Sequence, residues 1–155
     1  MAVKKILQYG DKTLKKISSK VTKIDKEIIT LIDDMEDTLF SAGGIGLAAP
    51  QIGVLKRVIL IALNEDSAPI ILINPEIVES YGKEESVEGC LSYVGFEGEL
   101  IRPKKVKVIG LNPQGEQVEY LAEELLCKAF CHEIDHLDGI MYIDRASKVY
   151  KLEEE

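Results

Sequence analysis

The sequence predicts an α+β fold, mostly antiparallel β-sheet packed around a central helix, with an amphipathic helix ahead of it. Three observations lead there. Apolar residues recur at helical spacing in the first third of the chain, strand-like runs fill the middle, and a second helical segment carrying both histidines follows. Helix, consecutive strands, then helix is the order of an α+β domain, not of alternating βαβ units. At 155 residues, with 46% hydrophobic and 30% charged side chains, the chain reads as one domain spanning 1–155. That is enough for a core without disulfides.

Ile24, Ile28, Leu31, Ile32, Met35 and Leu39 keep the three- and four-residue spacing of one helix face, so 25–42 is predicted as an amphipathic helix. Gly43 and Gly44 stop it. The stretch Gly44-Ile45-Gly46-Leu47-Ala48-Ala49-Pro50-Gln51-Ile52-Gly53 is too rich in glycine and small residues for a regular element. Strands are expected at 57–63, 70–74, 77–86, 105–111 and 117–121. The last two flank the turn signal Asn112-Pro113-Gln114-Gly115 and form a hairpin. A second helix is expected over 123–138, with Gly139 capping its end.

Charge and composition exclude several classes. Nineteen basic against 27 acidic side chains leave a net charge of −8, unsuited to broad binding of nucleic-acid backbones. Lys4, Lys5, Lys12, Lys15, Lys16, Lys20, Lys23 and Lys26 crowd the start, and Glu153, Glu154 and Glu155 close the chain; both read as solvated surface. No apolar run approaches the ~20 residues of a membrane helix. No apolar segment follows the charges of Met1-Ala2-Val3-Lys4-Lys5, so no secretory signal is expected. Three cysteines without framework spacing suit a reducing compartment, and the expected location is the cytoplasm.

The chain has two histidines, and they sit four apart in His132-Glu133-Ile134-Asp135-His136. At ~100° per residue they lie about 40° apart on the helix and one turn along it, so both rings reach one ion. Leu125 and Ala129 share that face, which is expected to point inward. Glu133 lies on its flank, better placed to hold a water than to ligate. A catalytic site of this kind takes three protein ligands. The third position of an HExxHxxGxxH pattern is Tyr142 here, and the glutamates after His136 are confined to the extreme tail. The third ligand must come from upstream. Cys127 and Cys131 project away from the histidine face, which leaves Cys90, in Glu88-Gly89-Cys90-Leu91-Ser92 after a predicted strand.

Three segments together, Gly44-Ile45-Gly46-Leu47-Ala48-Ala49-Pro50-Gln51, Glu88-Gly89-Cys90-Leu91-Ser92 and His132-Glu133-Ile134-Asp135-His136-Leu137-Asp138-Gly139, resemble the signature motifs of the peptide deformylase family. They stand in the family's order and at compatible separations, and with an Arg102-Pro103 strand start the resemblance covers nearly the whole chain. It implies removal of the formyl group from N-formylmethionine at the start of new bacterial polypeptides, releasing formate. It also implies one divalent ion on Cys90, His132 and His136, Fe²⁺ first, with Ni²⁺, Co²⁺ or Zn²⁺ as substitutes. Glu133 is then the general base and acid, while Gln51 and the backbone N–H of Leu91 face the substrate carbonyl. Gly46 belongs to backbone that approaches the peptide closely. Ile45, Leu125 and Ala129 are candidates for the methionine slot. The expected partners are N-formylmethionyl peptides and nascent chains, with ribosome proximity, and neither nucleic acid nor membrane. This chain departs from the family's usual pattern at Cys131, where glutamine is common, and at Val94-Gly95, where Pro-Gly is common.

Overall fold

A computed structural model of the chain describes residues 2–153. Met1, Glu154 and Glu155, part of the charged ends noted above, lie outside the described residues. The elements follow as α1 (Lys26–Ala42), β1 (Gly46–Ala48), β2 (Val58–Ile61), β3 (Ile70–Tyr81), β4 (Glu84–Cys90), β5 (Tyr93–Arg102), β6 (Lys105–Leu111), β7 (Gln117–Glu123), α2 (Glu124–Leu137), the single turn α3 (Tyr142–Arg145) and β8 (Lys148–Lys151). They form a five-stranded sheet of order β1-β2-β3-β6-β7 and a three-stranded sheet of order β4-β5-β8. Every pairing between these strands is antiparallel. The fold is α+β, as expected.

Helix α1 starts where the Asp25 carboxylate accepts the Ile28 N–H at 3.2 Å. It ends at Gly43, whose left-handed backbone returns its N–H to the Leu39 carbonyl at 2.9 Å. The two long helices cover opposite faces of the five-stranded sheet. Along β2, Val58 and Leu60 join the cluster built on Ile28, Leu31, Ile32, Met35 and Leu39 of α1. Ile59 and Ile61 join the other, with Phe130, Ile134 and Leu137 of α2. A strand buried on both faces reads as an unbroken apolar run, which is why β2 was plain in the sequence. The reverse side of α2 meets the second sheet, so this helix is held between the two.

Four sequence expectations are corrected. The glycine-rich stretch is not irregular: Gly46–Ala48 forms edge strand β1, and Ala49–Ile52 forms a 3-10 turn opened by Pro50. The break expected after Asn74 is a bulge inside β3, where Asn74 takes a positive φ and its amide bonds both backbone groups of Val21. The expected strand 77–86 is two strands, parted at Gly82. Strand β5 was not expected at all. Its inward positions are Gly98, Leu100 and Arg102, while Val94 faces water, so no apolar alternation marks it. Arg102 therefore ends a strand and does not start one. The last elements, α3 and β8, were also unmarked.

Candidate metal centre

Helix α2 presents His132 and His136 one turn apart, and the β4–β5 hairpin brings Cys90 to meet them. A bulge at Gly89 and the two-residue tip Leu91-Ser92 place Cys90 opposite Tyr93. Cys90 Sγ lies 3.4 Å from His136 Nε2. One ligand atom from each of Cys90, His132 and His136 falls within 4.8 Å of the others, and no other trio of potential ligands among the described residues does so. His132 Nδ1 faces Glu88 Oε1 at 3.0 Å, which leaves Nε2 for an ion. Cys127 and Cys131 stay out of the group. Both are buried, the Cys127 thiol donates to the Pro103 carbonyl at 3.3 Å, and burial pushes the Cys131 thiol up to about 12.

The electrostatics suit a cation. Burial disfavours charge on His132, but Cys90, Glu133 and Glu88 outweigh it and hold the ring's pKa well above its ordinary value. Negative groups that favour a proton there favour a metal ion. His136 is held well below its ordinary value by burial and by His132, so it stays neutral, the form in which imidazole ligates. Glu88 would be raised by burial, yet the hydrogen bonds of Arg102 and His132 bring it down to about 2.

Glu133 is buried, and its Oε1 has no hydrogen-bond partner among the described residues. Burial pushes its carboxyl up to about 7. A Cβ built on Gly46 would lie 2.5 Å from Glu133 Oε2. Glycine at this position therefore gives the carboxylate its room, a reason the sequence did not supply.

Gln51 is almost wholly buried and fixed at three points. Its Oε1 accepts the Ala48 N–H at 2.9 Å, and its Nε2 donates to Ser92 Oγ at 3.0 Å and lies 3.6 Å from Cys90 Sγ. Ser92 also donates its N–H to Cys90 Sγ at 3.4 Å. The N-terminal segment ties these parts together. Leu7 N–H donates to the Gln51 carbonyl, Gln8 Nε2 to the Leu91 carbonyl and Tyr9 N–H to the Ser92 carbonyl, at 2.7, 3.0 and 2.7 Å.

A cleft of about 480 Å³ opens over this cluster. Gly46, Gln51, Leu91 and Glu133 line it beside Cys90 and His132, and so do Ile45, Leu125 and Ala129. His136 is buried behind it. Every site residue expected from the sequence is thus in one place. One orientation is corrected: Ala129 is buried, but Leu125 is 50% exposed because the first turn of α2 rises clear of the core to the cleft mouth. Glu88, Ser92, Arg102 and Asp135 stand in or beside the three motifs with no role that the sequence marks, and nothing in the sequence marks Gln8 or Arg145. A buried Arg102 bonded to both Glu88 and Asp135 becomes visible only once the β4–β5 register is known.

A family model for polypeptide deformylase matches residues 3–152. Peptide deformylase 1 of Clostridium acetobutylicum is 50% identical over 148 residues, covering 96% of this chain and 97% of that protein. The peptide deformylase of Natranaerobius thermophilus is 52% identical over 155 residues, with 99% of both covered. The crystal structure of a peptide deformylase from Legionella pneumophila superposes with a TM-score of 0.92 at 43% identity, over 94% of this chain and 87% of the other. The match takes in all three motifs and both sheets, and the chain belongs to the polypeptide deformylase family.

Proposed function

We propose that the deformylase activity of this chain is hydrolysis of the formamide bond on N-terminal formylmethionine, carried out at the Cys90, His132 and His136 cluster. The observation that carries this reading is the approach of three potential ligand atoms to within 4.8 Å of one another beside the buried Glu133 carboxylate, whose Oε1 has no partner among the described residues. A thiolate and two imidazoles fit one divalent first-row ion. Bound there, the ion supplies Lewis acidity and a water acidic enough to act near pH ~7.

The protein's side chains do the rest. Glu133 takes a proton from the attacking water and returns it to the departing amine, a contribution of about 10²–10⁴-fold. Gln51, with one N–H on Ser92 and its Nε2 close to Cys90, and the Leu91 N–H stabilise the developing oxyanion. Losing one such donor costs ~10²–10³ in rate. Gly46 leaves space for Glu133 and for a closely lying peptide. Ile45, Leu125 and Ala129 take the methionine side chain at the cleft wall. The substrates are new chains close to the ribosome, and a cytoplasmic setting suits three free cysteines. No helix among the described residues is long and apolar enough to cross a membrane.

Fe²⁺ is the working ion in this reading. Affinity rises from Fe²⁺ to Ni²⁺, so tight binding does not identify it, and Zn²⁺, which favours a closed tetrahedron, is the slowest. The test is anaerobic reconstitution of metal-free protein with each ion, followed by formate release from one formyl-Met peptide and its unformylated twin. Formate from the formylated peptide alone, with Zn²⁺ lowest in kcat/KM, is expected. Cleavage of an internal amide bond, or no formate with any ion, would overturn the assignment; equal rates for Zn²⁺ and Ni²⁺ would remove only the metal preference.

A further inference from the structure

A line of charge-assisted hydrogen bonds runs from the protein surface to His132. Arg145, on α3, donates Nε to Asp135 Oδ2 at 2.7 Å and Nη2 to Asp135 Oδ1 at 2.9 Å. Asp135 Oδ2 also accepts Arg102 Nη1 at 2.8 Å. Arg102 then grips Glu88 twice, Nε to Oε2 and Nη2 to Oε1, both at 2.8 Å. Glu88 Oε1 faces His132 Nδ1 at 3.0 Å. Side-chain exposure falls from 46% at Arg145 to 12% at Asp135 and 4% at Arg102.

Two carboxylates and two guanidiniums leave this line neutral. Remove Arg145, and Asp135 and Glu88 share a single buried cation, with Asp135 reduced to one of its three donors. A buried carboxylate short of partners is costly, so Asp135 draws the Arg102 fork towards itself. Glu88 then holds His132 less firmly. Partners of this kind fix the ring orientation and basicity of a ligating imidazole.

We propose that Arg145 is a positioning residue of the metal centre: docked from α3, it neutralises Asp135 and so leaves Arg102 to hold Glu88 against His132. The inference rests on reading His132 as a ligand, and it extends the support of the centre to a segment beyond the three motifs. A plainer role, pinning α3 to α2, shares the same contacts but leaves the ion indifferent to Arg145.

The experiment uses the full chain loaded with Co²⁺ and follows its visible spectrum and its release to a chelator. It compares wild type with Arg145→Ala, Arg145→Lys, Glu88→Gln and His132→Ala. Arg145→Ala is expected to release Co²⁺ about 10-fold faster with an altered spectrum, and Glu88→Gln at least as fast. Arg145→Lys should fall between, since a point charge replaces a fork. On a formyl-Met peptide the loss should appear in kcat, with KM held within about twofold. Thermal unfolding of the metal-free variants separates the two roles. Lower metal-free stability with wild-type Co²⁺ release and spectrum would leave only the pin and overturn the proposal, and the lysine variant decides if the alanine variant does not fold. If His132→Ala keeps Co²⁺ as wild type does, the ligand reading falls first and takes the proposal with it.

Discussion

The two sheets bury opposite kinds of side chain. The five-stranded sheet buries Val58, Ile59, Leu60, Ile61, Leu72, Ile73, Val106 and Val108. The three-stranded sheet turns Ser86, Glu88 and Arg102 inward, with Leu100 the one large apolar residue buried between them. Apolar burial is non-directional, and its stabilisation grows with the area removed from water. A buried ion pair stabilises little by comparison, because desolvation offsets most of the attraction, but it does fix direction. The first sheet holds α2 in place, and the second aims one imidazole on it. Stability and the aim of the His132 ring are therefore assigned to different halves of the molecule, with α2 as their shared part.

That division can be broken, and the largest effect is expected in the polar half. Arg102→Leu leaves Glu88 and Asp135 buried without their common partner. It should cost about 3–5 kcal/mol in denaturant unfolding and strip most of the metal from what remains folded. In the apolar half, Leu72→Ala should cost about 2–5 kcal/mol and Ile59→Val about 0.5–1.5 kcal/mol, with the ion per folded molecule unchanged in both. Metal analysis of the folded fraction checks all three. Leu72→Ala losing metal as readily as Arg102→Leu, or Arg102→Leu keeping a full complement, would erase the distinction between the sheets.

The same contrast explains what could be read from the sequence. Helix α1 announced itself through its apolar face and its Asp25 and Gly43 boundaries, and the β6–β7 hairpin through two alternating runs around Asn112-Pro113-Gln114-Gly115. These signals arise because water is excluded from one face at a fixed period. Strand β5 gave no such signal, because glycine and arginine stand on either side of Leu100 at the inward positions, where apolar residues would report burial. At the site, the four-residue spacing of His132 and His136 follows from helix geometry alone, and Cys90 followed by elimination. The roles proposed for Gln51 and Leu91 come only from family resemblance, since nothing local to either marks it out. The Glu88–Arg102 pairing depends on strand register across 14 residues, and the clearance between Gly46 and Glu133 depends on how β1 meets α2. Both are tertiary facts.

Glu133 offers a separation of a different kind, between holding the ion and using it. Gly46→Ala should displace its carboxylate, lowering turnover about 10²-fold or more while the metal proposed at Cys90, His132 and His136 stays bound. The most direct measurement, though, is metal content and formate release on one preparation of Glu133→Ala. If Cys90, His132 and His136 bind the ion and Glu133 carries the proton, the variant retains one ion per chain. Its turnover of a formyl-Met peptide then falls by about 10²–10⁴-fold. Loss of the ion together with the activity would make Glu133 a ligand or a structural prop, and near-normal turnover would place the proton transfer on another group; either result contradicts the mechanism.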